Sequence, residues 1–164
     1  MNIKELKIYS SNFPEQVRFY SDIIGLKIVN KNDAVVSFQI GRSTLSIEQS
    51  ISSTPYHFAI NVPSNNETAA LKWLKTRVDV LRDGDIEVHD FDFWNAKAIY
   101  FYDKDKNIVE LIARKNLNIN SSDEFSPHSF LGISEIGLPT LDIEREYKLL
   151  NDKTGIGIYS GIFE

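Results

Sequence analysis

Residues 98–113 read Ala98-Ile-Tyr-Phe-Tyr-Asp-Lys-Asp-Lys-Asn-Ile-Val-Glu-Leu-Ile-Ala113. Two apolar runs with β-branched and aromatic side chains flank a turn of Asp, Lys and Asn, which is the pattern of a β-hairpin. The second run carries one carboxylate, Glu110, between Val109 and Leu111. Burying an unpaired carboxylate costs several kcal/mol, so Glu110 requires a cation, a metal or a wet groove opposite it. Function becomes the question of what faces Glu110.

Upstream of this hairpin, Tyr56 to Val62 reads as a strand. Ser64 and Glu67 form a capping box, and Ala70, Leu71, Leu74 and Val78 make a helical stripe. Val80–Leu81 or Ile86–His89 supplies one more strand before Lys97–Tyr102 and Asn107–Ala113. The same order occurs earlier in the chain. Ile3–Tyr9 alternates as a strand, and a helix follows with Asn12 at its cap, Pro14 in its first turn and Gly25 at its end. Leu26–Asn30, Ala34–Ile40 and Thr44–Gln49 are then three short strands. Two βαβββ units result, spanning 1–50 and 56–114, joined by a Ser/Thr/Pro link at 50–55.

Aligning Glu5 with His57 sets the helix caps Asn12 and Ser64 seven residues later in both units. A third echo lies at Ile133-Ser-Glu-Ile-Gly-Leu138, with Asp142 seven residues and Gly155 twenty residues after Glu135, as Asn12 and Gly25 follow Glu5. Residues 130–164 thus read as the opening strand and helix of a third unit, or as a plain C-terminal extension. Residues 115–129 are the connection; the Asn, Ser and acidic content of 116–127 predicts an exposed, mobile linker.

The chain has 164 residues, room for one domain with a real core. A net charge of −5 without a Lys/Arg cluster argues against a nucleic-acid or anionic-membrane partner. There is no Cys, which removes disulfides, thiolate nucleophiles and Cys-held metals. No export signal or apolar span is apparent, so a cytoplasmic location is expected.

Strand parity sorts the polar residues. With the apolar set of each strand against the helices, Glu5, Glu48, His57 and Glu110 fall on the opposite face. If the two units curl into one sheet, these four meet in a single groove. One imidazole with carboxylates suits a divalent cation such as Zn, Ni, Co, Mn or Fe, while Lys7, Arg42 and Lys97 offer ordinary ion pairs as the alternative. The run His89-Asp-Phe-Asp-Phe-Trp94 supplies Phe91, Phe93 and Trp94, which either stack on a ligand or close the end of the core.

The repeated pattern resembles the vicinal oxygen chelate superfamily, which includes glyoxalase I, fosfomycin- and bleomycin-resistance proteins and extradiol dioxygenases. The resemblance rests on the helix Asn12–Gly25, the strand Tyr56–Val62 and the hairpin Ala98–Leu111. It implies an α+β fold of paired βαβββ modules forming a curved sheet groove, with metal ligands at Glu5, Glu48, His57 and Glu110. Glu5 stands where His is commonest, which counts against an extradiol dioxygenase. Lys104 and Lys106 replace the Pro and Gly of the family's turn. The resemblance further implies a homodimer and a small-molecule ligand. The leading expectation is a metal-dependent lyase or isomerase acting on an oxygen-bearing metabolite, with Glu5 or Glu48 as base. The other is a metal-free binding protein of the bleomycin-resistance kind.

Overall fold

The structure is a computed structural model and describes residues 3–158 and 161–162. The last residues of the 130–164 segment, Tyr159, Ser160, Phe163 and Glu164, fall outside the described residues. Two βαβββ modules are present. The first comprises β1 (Glu5–Ser10), α1 (Phe13–Arg18) continued by a π-helical turn at Phe19–Ile23, β2 (Ile28–Lys31), β3 (Val35–Ile40) and β4 (Ser43–Gln49). The second comprises β5 (His57–Val62), α2 (Glu67–Lys75), β6 (His89–Phe91), β7 (Ala96–Tyr102) and β8 (Ile108–Arg114). A further strand and helix follow, β9 (Gly132–Gly137) and α3 (Ile143–Thr154).

The modules form two sheets rather than one. The first has the order β1-β4-β3-β2 and the second β6-β7-β8-β5-β9. β9 lies antiparallel on the outer edge of β5, setting Glu135 opposite Ala59 and Gly137 opposite His57. The edge that a shared sheet would need is therefore filled by the chain's own tail.

The apolar parities meet in one core. Leu6, Ile8, Phe38 and Ile47 of the first module join Phe58, Ile60, Phe101 and Leu111 of the second in a single buried cluster. Each such side chain removes about 2 kcal/mol worth of apolar surface from water, which fixes the two sheets relative to one another. A polar weld crosses the same boundary. Asp103, buried in the β7–β8 turn, accepts from Gln16 Nε2 (2.5 Å) and the Tyr20 hydroxyl (2.7 Å) of the first module, and from Asn107 Nδ2 (2.8 Å). Its other oxygen accepts from the N–H groups of Asp105 and Asn107. Burial holds the Asp103 carboxyl above the usual range against these donors, and burial together with the Asp103 charge pushes the Tyr20 phenol well up.

Three local expectations need correction. Ser64 does not cap α2: Asn66 holds the cap position, while the buried Ser64 hydroxyl donates to Arg114 O. The strand expected at 80–81 or 86–89 is β6 at His89–Phe91, with Val80 contributing an isolated bridge to Phe101. The connection 115–129 is docked rather than loose. Phe125 and Phe130 are buried with their rings edge-on to Trp73 of α2, at 5.5 and 5.9 Å between centroids. Phe125 within the segment and Phe130 immediately after it anchor the connection. Beyond β9, Asp142 caps α3 by accepting from the Arg145 N–H at 3.0 Å, and Gly155 ends it in the left-handed region at φ 69°. No residue of α3 is buried.

Candidate functional site

The second sheet has one face turned away from the core, and strand register orders its side chains in rows. Tyr102, Ile108, His57 and Gly137 stand side by side on β7, β8, β5 and β9, and the adjacent row is Tyr100, Glu110, Ala59 and Glu135. Ala59, Ala96 and Ala98 keep the floor of this face shallow, with Phe91 and Tyr100 packed over it. Small floor residues leave volume above a sheet for polar heads and ligand.

His57 and Glu110 come together there. His57 Nε2 lies 3.2 Å from Glu110 Oε2, with the carboxylate side chain 6% exposed and the imidazole 44% exposed. The hydrogen bond to Glu110 raises the His57 pKa above its ordinary value of 6.5 against the effect of burial, with the charges of Glu110 and Glu135 adding to it. Burial, then the Glu110 charge, raises the Tyr100 phenol. Glu135 is held by the Arg114 guanidinium. Gly137 permits the close approach of β9: a Cβ at that position would stand 3.2 Å from the His57 Cβ. Tyr56, Tyr102, Ile108, Leu138 and Pro139 wall a cavity of about 700 Å³ beside His57.

The first module repeats this arrangement in altered form. Glu5 pairs with Thr44 and Lys7 with Ser46, as His57 pairs with Ile108 and Ala59 with Glu110. The structural counterpart of Glu110 is therefore Ser46, not Glu48. Ser46 donates to Glu5 Oε1 at 2.8 Å. Glu48 lies one row further on, with its Oε2 3.0 Å from Lys7 Nζ. Glu5 and Glu48 thus lie on the first sheet and His57 and Glu110 on the second, where β9 rather than β1 takes the edge of β5. Among the described residues no three metal-capable side chains gather at one point.

The aromatic run divides. Phe91 and Trp94 stack at 5.4 Å with Arg114 over the Trp94 ring, whereas Phe93 is fully exposed. Tyr100, Arg114 and Glu135 escaped the sequence reading. Counting register outward from Glu110 would have found Tyr100, and the echo of Glu5 at Glu135 was the signal for the third.

No family model matches the sequence. The metallothiol transferase FosB of Staphylococcus haemolyticus is 28% identical over 109 residues, covering 62% of this chain and 75% of its own length. A lactoylglutathione lyase from Agrobacterium tumefaciens shares the fold at TM-score 0.53 and 23% identity, covering 66% of this chain and 90% of that one. A glyoxalase/bleomycin resistance protein/dioxygenase from Alicyclobacillus acidocaldarius does so at TM-score 0.55 and 18% identity, covering 69% and 91%. No helix among the described residues is long and apolar enough to cross a membrane. With its duplicated βαβββ modules and the His57–Glu110 pair on adjacent strands, the chain has the fold of the glyoxalase/bleomycin resistance/dioxygenase proteins and is similar in sequence to FosB over 109 residues.

Proposed function

We propose that the protein is a divalent-metal-dependent enzyme acting on a small oxygen-bearing metabolite at the open face of the second module. The observation that carries this reading is the 3.2 Å separation of His57 Nε2 and Glu110 Oε2. Two donors that each reach one cation at about 2 Å stand about 3 Å apart, so the pair needs little movement to hold an ion. Glu135, across Ala59 from Glu110 and held by Arg114, would have to leave that pairing and move inward to serve as a third donor. The metal relative, a metallothiol transferase by name, supports the same reading. A bound cation would supply Lewis acidity toward a carbonyl or hydroxyl oxygen. The residues of this chain would do the rest: His57 and Glu110 would hold the ion, the Tyr100 hydroxyl would stand beside Glu110, and the cavity walls would exclude water from the ligand. Lyase or isomerase chemistry is the class this arrangement serves.

Isothermal titration with zinc, manganese, nickel, cobalt and iron(II), with melting curves alongside, tests the proposal. The expected result is stoichiometric binding of at least one ion and a raised Tm, both lost in His57→Ala and Glu110→Ala. A flat titration for every ion removes the metal. The second reading, a metal-free binding protein, is favoured by the apolar cavity and gains from that outcome.

A further inference from the structure

Lys106 sits in the β7–β8 turn with φ 64°, in the left-handed region. The turn closes with Lys106 N–H donating to Asp103 O at 3.3 Å and Asp103 N–H to Asn107 O at 3.2 Å. Such hairpin turns place glycine at this position, since a Cβ in the left-handed region crowds its own backbone. A lysine there is disfavoured locally. Strain of this kind persists where the side chain has another role. Its ammonium lies 5.4 Å from the centroid of the Tyr102 ring, and both residues line the cavity beside His57.

The remaining walls carry no acid. Tyr56, Ile108, Leu138 and Pro139 are apolar in body, and Pro55 and Gly137 add no charge. The carboxylates closest along the turn are otherwise placed: Asp103 is buried in its own hydrogen-bond set, and Asp105 is not part of the lining. A cation at the mouth of an apolar hollow recognises one kind of molecule.

The geometry points to Lys106 as a ligand-binding residue that selects an amphipathic anion, an aromatic or aliphatic body carrying one acid group, for the cavity beside His57. The body fills the hollow against Tyr56, Ile108 and Leu138, and the acid group meets the Lys106 ammonium over Tyr102. This assignment rests on the second module's open face being the ligand site, and it requires no metal.

Two fluorescent probes that differ only in the acid group provide the test: anilinonaphthalene sulfonate and its neutral parent phenylnaphthylamine, titrated into the full chain. Wild type is expected to bind the sulfonate more tightly than the amine. Lys106→Gly should weaken the sulfonate about fivefold, the size of one partly exposed ion pair, and leave the amine within about twofold. The same variant relieves the left-handed strain and should melt no lower than wild type, so a lost signal is not lost folding. Leu138→Asp, at an exposed wall position, should abolish both probes and so locate them in this cavity. Equal sulfonate affinity in wild type and Lys106→Gly overturns the anion assignment while leaving the cavity standing. Retention of both probes by Leu138→Asp overturns the assignment and the open-face reading together. Metal titration fails or succeeds independently of either outcome.

Discussion

His57 shows how one contact sets a residue's chemistry. The Glu110 carboxylate favours the imidazolium, so the folded-state pKa lies above the ordinary 6.5. Stability from this pair is then fully present below pH 6.5 and is lost as pH rises through the raised folded value. With the ring nearly half exposed, solvent screening keeps the contribution below about 1 kcal/mol. A proton NMR titration of the imidazole should place its midpoint above 6.5, and Glu110→Gln should bring it down. An unchanged midpoint in Glu110→Gln would show that Glu110 is not the cause. Ser46 makes the complementary point. It occupies the position of Glu110 in the first module, and a hydroxyl there supplies one hydrogen bond to Glu5 but no charge.

Among the elements, β9 has the largest effect on the site. It brings Glu135 and Gly137 alongside Ala59 and His57, and the two residues after it, Leu138 and Pro139, form the far wall of the cavity. Its position is fixed upstream by the docked connection. Phe125 and Phe130 against Trp73 hold the chain so that Arg42 N–H donates to Leu131 O and Ile133 N–H to the Ser43 hydroxyl. At Gly41 the fit is tight enough that a Cβ would collide with the Leu131 backbone. Trp73→Ala should cost about 3 kcal/mol in urea unfolding and speed amide exchange across residues 119–137 first. Exchange rising evenly over the whole chain would argue against this anchoring. α3 differs from the other helices. Its caps are in order, but none of its residues is fully buried.

For the molecule as a whole, the two modules behave as one body because the core and the Asp103 weld cross between them. Among the described residues, β1 and β2 are the edge strands of the first sheet. Lys4 O accepts from Thr44 N–H and Ser10 O from Ser50 N–H, so the even-numbered residues pair with β4. Glu5, Lys7 and Tyr9 turn their backbone groups outward, and of these the Tyr9 N–H meets the Tyr56 hydroxyl at a long 3.4 Å. An edge of this kind is a template for another strand. We propose that two copies pair through β1 as a homodimer. Light scattering should give twice the chain mass, with Lys7→Pro, which removes an outward donor, returning a folded monomer. A wild-type monomer at every concentration would refute this.

Much of this architecture was legible in the residues because it depends on short-range physics. Alternation gave the strands, Asn12 and Gly25 bounded the first helix, Asp142 and Gly155 bounded the last, and the turn residues 103–107 gave the hairpin. Parity also put His57 and Glu110 on one face. The assembly of the site was not legible, since three-dimensional placement settled which strand takes the free edge of β5, and a pattern shared by β1 and β9 leaves that open. Register had the same effect for Glu48: a two-residue offset keeps a side chain on its face yet moves it a full row along the sheet, about 7 Å, and no local preference records that distance.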